Sequence, residues 1–140
     1  MLNKVTTHWK KDMLLESDNP SGNNVLMETQ PDFGGTQTGL SPKALMLSAI
    51  GGCTGLDVLS LFKKMRVEVD AIRIIVNGEL TEEHPKFYHK VNIDYHFTGK
   101  NLKEDKIEKA VNLSVERYCG VIEMFRQFAK VKTAIHYHNS

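Results

Sequence analysis

Cysteine, proline and tryptophan are scarce in this chain, with two, four and one of them among 140 residues. Two cysteines are too few for a small secreted domain stapled by disulfides, so a reducing compartment is expected. Neither sign of charge is in excess, because 18 lysines and arginines face 17 aspartates and glutamates. This balance argues against a nucleic-acid-binding or acidic-lipid-binding surface, since both need a basic excess.

Long hydrophobic runs are also missing. The first ten residues lack the apolar centre of a signal peptide, and the most apolar stretch, Ala44–Ile50, is too short to cross a bilayer. We therefore expect a cytoplasmic protein without membrane association. What remains is an ordinary globular composition, 41% hydrophobic and 25% charged. At this length it predicts a single domain over residues 1–140.

A long helix is predicted to begin at Ser41-Pro42, because serine is a good N-cap and proline fits the first helical position. It should run to about Met65. Its first part, Ala44–Ile50, is apolar almost all round, which is typical of a helix buried on every side. A domain this small rarely buries a helix so completely by itself. The sequence therefore predicts a homodimer in which a second subunit covers the outer face.

The other segments alternate between strand and helix signals. Regular period-two alternation predicts an antiparallel pair of strands over residues 72–80 and 91–97, and a closing strand over 131–137. Short strands joined by turns are expected at 2–9, 13–17 and 24–27. A helix capped by Asn101 should end at Cys119-Gly120 and be followed by a short helix. The predicted fold class is α+β, with antiparallel sheets packed on a long central buried helix.

The two thiols lie on different predicted elements. Cys53 is in the long helix and Cys119 is at a helix end, next to Gly52 and Gly120 respectively. From spacing alone they are either small buried side chains or a redox pair. Asp57 follows Cys53 by one helical turn, and we interpret it as a structural contact, because a carboxylate alone raises the pKa of a thiol.

Other candidate sites are weaker. His136 and His138 share one face of the closing strand, and we interpret them as a solvated face rather than a metal site. The glycine-rich segment 34–39 lacks the lysine of a phosphate-binding loop and is interpreted as an ordinary flexible loop. No CxxC or zinc spacing is present, so the spacing of the cysteines does not indicate a metal site.

Two segments carry a resemblance to a known family. Residues 41–45, 51–58 and 63–66 resemble the first cysteine helix of the OsmC/Ohr family, and residues 114–121 resemble its second cysteine segment. The resemblance implies an intertwined homodimer and a thiol-dependent peroxidase that needs no metal or flavin. It also implies that Cys53 is the peroxidatic thiol and Cys119 the resolving one.

The implied function is reduction of organic or hydrogen peroxide in oxidative stress defence. It requires a peroxide substrate and an external thiol or dithiol reductant. Lys11 and Lys43 stand where the hydroperoxide reductases have an arginine and a glutamate, and they are candidates to stabilise the thiolate or peroxide. The alternative is a non-catalytic OsmC-like module that binds a small hydrophobic ligand.

Overall fold

The computed structural model describes every residue from Met1 to Ser140 and contains two compact units, Met1–Met46 and Leu47–Ser140. Helix α1 (Pro42–Met65) runs through the boundary between them. The chain forms two three-stranded sheets and three α-helices, so the predicted α+β class is confirmed. The assignment of residues 1–140 to a single domain stays a prediction.

The first unit is built on an antiparallel sheet of three short strands in sequence order. They are β1 (Thr7–Lys11), β2 (Leu14–Ser17) and β3 (Val25–Glu28). The predicted positions of these strands are confirmed to within a few residues, except that β1 begins at Thr7 rather than Leu2. The turn-forming run 18–24 separates β2 from β3, as its Asn, Pro and Gly residues predict.

The glycine-rich segment after β3 is anchored by one buried carboxylate. Glu28 accepts hydrogen bonds from the backbone N–H groups of Thr36, Thr38 and Gly39 and from the Thr36 hydroxyl. These backbone donors, with that of Thr36 first, lower the pKa of Glu28 to about 2. The segment is thus tied to its own sheet, and the expectation of an ordinary flexible loop is wrong.

Helix α1 has the predicted bounds, and a single chain buries only part of its surface. Only one stripe at four-residue spacing is buried, namely Ile50, Thr54, Val58 and Phe62. The opposite face is open in the single chain, where Leu56 is 69% exposed and Leu59 is 53% exposed. The apolar surface of α1 is wider than the stripe that the core covers, so one chain does not bury the helix on every side, in line with the expectation that a second subunit covers the outer face; the homodimer itself stays a prediction.

The length of α1 also changes how its hydropathy is interpreted. A window of 18 residues within this 24-residue helix has a mean hydropathy of 1.6, so by length and composition α1 could cross a membrane. The sequence-based judgement considered only Ala44–Ile50, which is shorter than the apolar part of the helix. The core helix of a soluble protein passes the same test, so one such helix is weak evidence for a membrane span.

The second unit contains a sheet of β4 (Ala71–Leu80), β5 (Tyr88–Gly99) and β6 (Lys130–Asn139). The predicted antiparallel pairing of β4 with β5 is confirmed, but β6 pairs with β5 in parallel. The reason is the connection from β5 to β6, which is long and helical and returns the chain to the same end of the sheet. Sequence periodicity located β6 but does not indicate its direction, and the expectation of purely antiparallel sheets is wrong for this strand.

The connection contains α2 (Glu104–Leu113), a π-helical turn (Ser114–Tyr118) and α3 (Gly120–Arg126). Asn101 does not cap α2, because it has a positive φ of 52° and lies before Lys103, which is the capping position. Tyr118 follows the buried Ser114 by four residues but is exposed, because the π-helical turn changes the helical phase.

The core of the second unit lies between α1, β5 and the two following helices. Alternate residues of β5 point into it, among them Val91, Ile93, Tyr95 and Phe97. They meet the buried stripe of α1 and the apolar residues of α2 and α3, including Ile107, Val111, Ile122 and Phe125. Cys119 is a buried member of this cluster, and the partly buried Cys53 packs against it.

Candidate functional site: a thiol pair with a carboxylate

The two cysteines, which the sequence could not bring together, meet in the second unit. The sulfur atoms of Cys53 and Cys119 and a carboxylate oxygen of Asp57 all lie within 4.8 Å of one another. Both thiols are free; Cys119 is buried and Cys53 is half-buried. Such a group can support thiol redox chemistry or the binding of a cation, since thiolates and carboxylates do both.

Local structure explains how each side chain reaches the site. Asp57 follows Cys53 by four residues on α1, so the two share one side of the helix. Cys119 is brought in by the π-helical turn, where its backbone N–H donates to the carbonyl of Ser114 at 2.8 Å. This wider turn buries both Ser114 and Cys119. π-Helical turns of this kind occur frequently at functional sites.

A chain of buried hydroxyl groups ends on Asp57. Tyr95 Oη lies 2.7 Å from Thr54 Oγ1, which lies 2.7 Å from Ser114 Oγ, and Ser114 donates to Asp57 Oδ2 at 3.0 Å. Each hydroxyl has one proton. Because Ser114 uses its own on Asp57, Thr54 must donate to Ser114 and Tyr95 to Thr54. All three protons therefore point toward Asp57, an arrangement that orients its carboxylate.

Burial controls the titration of two groups around this chain. Desolvation raises the pKa of Tyr95 to about 12, so its hydroxyl is protonated at neutral pH, as the donor assignment requires. Burial also raises the pKa of Cys119 to about 11, although the N–H of Ile122 donates to its sulfur at 3.4 Å and lowers the pKa in part. Cys119 is therefore a thiol rather than a thiolate in the resting protein.

A surface pocket of about 350 Å³ adjoins Cys119. It is lined by residues 115–120 together with Glu123 and Arg126. Arg126 forms ion pairs with Glu116 and Glu123 and donates to the carbonyl of Val115. The pocket is therefore charged, whereas an apolar opening is the environment expected for an organic hydroperoxide.

The family model for OsmC-like proteins matches residues 34–134, a range that includes both cysteines and Asp57. This chain belongs to the OsmC-like protein family. Protein YhfA of Escherichia coli strain K12 is 30% identical to it over 123 residues, covering 88% of this chain and 89% of YhfA.

Solved structures share the fold of this OsmC-like protein. A hypothetical protein from Aquifex aeolicus VF5 is 30% identical, with a TM-score of 0.87 and coverage of 100% of this chain and 98% of that one. The organic hydroperoxide resistance protein OhrB of Bacillus subtilis is 20% identical, with a TM-score of 0.66 and coverage of 96% and 98%. At that identity the similarity to OhrB establishes the fold alone.

The two lysines proposed from the sequence lie in the first unit of this OsmC-like protein. Lys11 ends β1 and Lys43 is the second residue of α1, and both are exposed. Neither forms an ion pair within 4 Å. Their role toward the thiolate stays a prediction.

The histidines of the closing strand have partners that the sequence did not show. His136 Nε2 lies 2.9 Å from Asp94 Oδ1, and His138 Nε2 lies 2.8 Å from His96 Nδ1. His96 also stacks on both rings, with centroids 4.4 and 5.1 Å apart. The interpretation of a solvated strand face did not include these partners, of which Asp94 supplies a carboxylate beside His136.

The hydroxyl chain of Tyr95, Thr54 and Ser114 was not predicted from the sequence. One signal was present: Thr54 and Ser114 are polar residues at positions where the helical pattern is otherwise apolar. A buried polar side chain needs a partner, so two of them on separate buried stripes are candidates to meet. Asp57, interpreted as a structural contact, lies at the end of this chain and beside both sulfurs.

Proposed function

We propose that this protein is a thiol-dependent peroxidase with a role in redox or stress defence. The observation that carries the proposal is the approach of the two sulfurs to within 4.8 Å in a chain of the OsmC-like family. Further support comes from relatives of similar fold that are named organic hydroperoxide resistance proteins, from Bacillus subtilis and Legionella pneumophila.

The roles of the two thiols follow from their burial. Cys53 is half-buried and is the peroxidatic residue in this proposal, because a peroxide must reach it. Its thiolate attacks the distal oxygen of ROOH, so the S–O bond forms, the O–O bond breaks and the alkoxide leaves and is protonated to ROH. Cys53 is thereby oxidised to a sulfenic acid.

Cys119 is buried beside Cys53 and is the resolving thiol. Its sulfur displaces hydroxide from the sulfenic acid, the displaced hydroxide takes the Cys119 proton, and a disulfide and water are the products. An external dithiol then reduces the disulfide and is itself oxidised. The proposed compartment is the cytoplasm, where such reductants keep thiols reduced.

The proposed assembly is a homodimer, and the open face of α1 supports it. Leu56, Leu59 and Met46 are large apolar side chains with about half or more of their surface exposed in the single chain. A second copy that covers them would remove this surface from water. Light scattering should then give twice the mass of one chain at micromolar concentration.

Intact-protein mass spectrometry after one equivalent of cumene hydroperoxide tests the proposed chemistry. We expect the wild-type protein to lose two hydrogen atoms and both free thiols. Cys53→Ser should not react at sulfur, and Cys119→Ser should stop at a sulfenic acid that dimedone traps. Oxidation of methionine adds an oxygen instead, so it is distinguishable. Two unreacted thiols in the wild-type protein would refute the proposal and favour the ligand-binding alternative.

A further inference from the structure

The donor set around the two thiols is suited to a metal ion. Cys53, Cys119 and Asp57 each offer one ligand atom, and these atoms lie within 4.8 Å of one another. Around Zn²⁺, with bonds of about 2.3 Å to sulfur and about 2.1 Å to oxygen, tetrahedral ligand atoms are roughly 3.5–4 Å apart. Small side-chain rotations would therefore bring the three atoms onto one ion.

Two of the three ligands are already held by hydrogen bonds of the kind that orient metal ligands. Ser114 donates to Asp57 Oδ2 at the end of the buried hydroxyl chain, which leaves Oδ1 available to an ion. The N–H of Ile122 donates to the sulfur of Cys119. Hydrogen bonds of this type to metal ligands fix the orientation of those ligands and contribute strongly to metal affinity.

A divalent cation would also match the charge that these ligands carry when they are bound to it. Two thiolates and a carboxylate carry three negative charges when all are ionised, and like charges at this distance repel. Asp57 forms no ion pair with a lysine, arginine or histidine that would offset them. A divalent cation bound by all three would neutralise most of this charge.

We propose that the reduced protein binds one thiophilic divalent cation, such as Zn²⁺, through Cys53, Cys119 and Asp57. Sulfur ligands favour Zn²⁺ over Mg²⁺ and Ca²⁺, and three protein ligands leave a fourth position for water. Binding is not a redox step, since the ion replaces two thiol protons, which are released to solvent.

The inference goes beyond the proposed peroxidase function, although it uses the same sulfurs. A disulfide between Cys53 and Cys119 leaves no thiolate to bind the ion, so oxidation releases it. Conversely, a bound ion draws electron density from the Cys53 sulfur and lowers its nucleophilicity toward a peroxide. Metal binding and oxidation by peroxide therefore compete for the same sulfur.

The test is a Zn²⁺ titration of reduced, metal-free protein against a chromophoric chelator in the absence of oxygen, with Co²⁺ as a spectroscopic probe. We expect one ion per chain and a thiolate-to-cobalt charge-transfer band. Cys53→Ser, Cys119→Ser and the wild-type disulfide form should each lose binding. Asp57→Asn should weaken it by at least about tenfold, and Ser114→Ala by about tenfold.

Two matched controls locate the ion. Asp70→Asn removes an exposed carboxylate elsewhere, and His96→Ala with His138→Ala removes the pair of close imidazoles on the sheet. Both controls should bind Zn²⁺ as the wild-type does. Loss of binding in the histidine variant, or its persistence in the disulfide form, would overturn the proposal.

The disulfide form contains no substitution, so a loss of Zn²⁺ binding in that form is not explained by a variant that fails to fold. Absence of Zn²⁺ binding by the reduced wild-type protein at micromolar concentration would also overturn it. Peroxide consumption by the metal-free protein is measured in a separate experiment. A failure of the peroxidase proposal is therefore distinguishable from a failure of the metal-binding proposal.

Discussion

Thr54 is the central member of the buried hydroxyl chain, and its replacement by valine gives the sharpest test of that chain. Valine has nearly the same shape but neither donates nor accepts a hydrogen bond. Thr54→Val therefore removes the single partner of Tyr95 Oη and one of the two partners of Ser114 Oγ. All three side chains are fully buried, so water does not replace what is lost.

The expected loss of stability can be worked from these contacts. Leaving the buried Tyr95 hydroxyl without a partner costs about 1–3 kcal/mol, and the lost hydrogen bond to Ser114 adds about 1 kcal/mol. Ser114 keeps its bond to Asp57, so its own proton stays satisfied. We expect Thr54→Val to lower the free energy of unfolding by about 2–4 kcal/mol.

Tyr95→Phe distinguishes the orphaned hydroxyl from a general packing effect. In the double variant Thr54→Val/Tyr95→Phe the unpaired phenol is gone. Its destabilisation should therefore be smaller than the sum of the two single variants by at least about 1 kcal/mol. Thr54→Ser, which keeps both hydrogen bonds and loses one methyl group, is the matched control and should cost about 1 kcal/mol.

Urea unfolding of the reduced protein, followed by far-ultraviolet circular dichroism, measures all four variants. Strict additivity in the double variant would refute the donor chain as described. A Thr54→Val protein whose free energy of unfolding is within about 0.5 kcal/mol of wild type would also refute it. A change that small is typical of surface substitutions and is incompatible with a buried phenol that has lost its partner.

Three further predictions concern other parts of the molecule. Because the pKa of Glu28 is lowered to about 2 from 4.5, its contribution to stability is present above pH 4.5 and is lost as the pH falls toward 2. Trp9 fluorescence during urea unfolding should show this loss of stability at low pH in wild type and in the Glu16→Gln control. The stability of Glu28→Gln should change little over the same pH range. A Glu28→Gln protein that loses stability with pH in the same way as wild type would contradict the prediction. Leu56→Lys should give monomers by light scattering, while Ile75→Lys, on the exposed side of β4, should not; an unchanged mass would argue against α1 as the interface. Dimedone should label Cys119→Ser after peroxide in proportion to the peroxide added, and labelling of Cys53→Ser instead would reverse the two roles.

The elements with strong local signals could be predicted from the sequence. Proline after an N-capping serine placed the start of α1, and period-two alternation placed β4 and β5, because both signals act between residues close in the chain. The α2 cap was missed because Asn101 adopts a left-handed backbone conformation ahead of the helix. Nothing in the neighbouring residues distinguishes that role from capping.

The candidate site was only half visible in the sequence. Cys53 and Asp57 lie one turn apart on a helix, so their proximity follows from helical geometry. The arrival of Cys119 depends on the π-helical turn, which has no strong sequence signal. The carboxylate bound to His136 and the direction of β6 were missed for a similar reason, since both depend on pairing between segments distant in the chain.

The sequence by itself determined which segments are helix or strand, that the fold is α+β, and that two thiols lie on apolar elements. Those properties arise from local propensity and from the period of hydrophobic residues. Only the tertiary structure decided that Cys53, Asp57 and Cys119 converge and that three hydroxyl protons point toward Asp57. The reason is that a buried polar group takes whichever partner the packed core places within reach, and the packing of separate elements determines that partner.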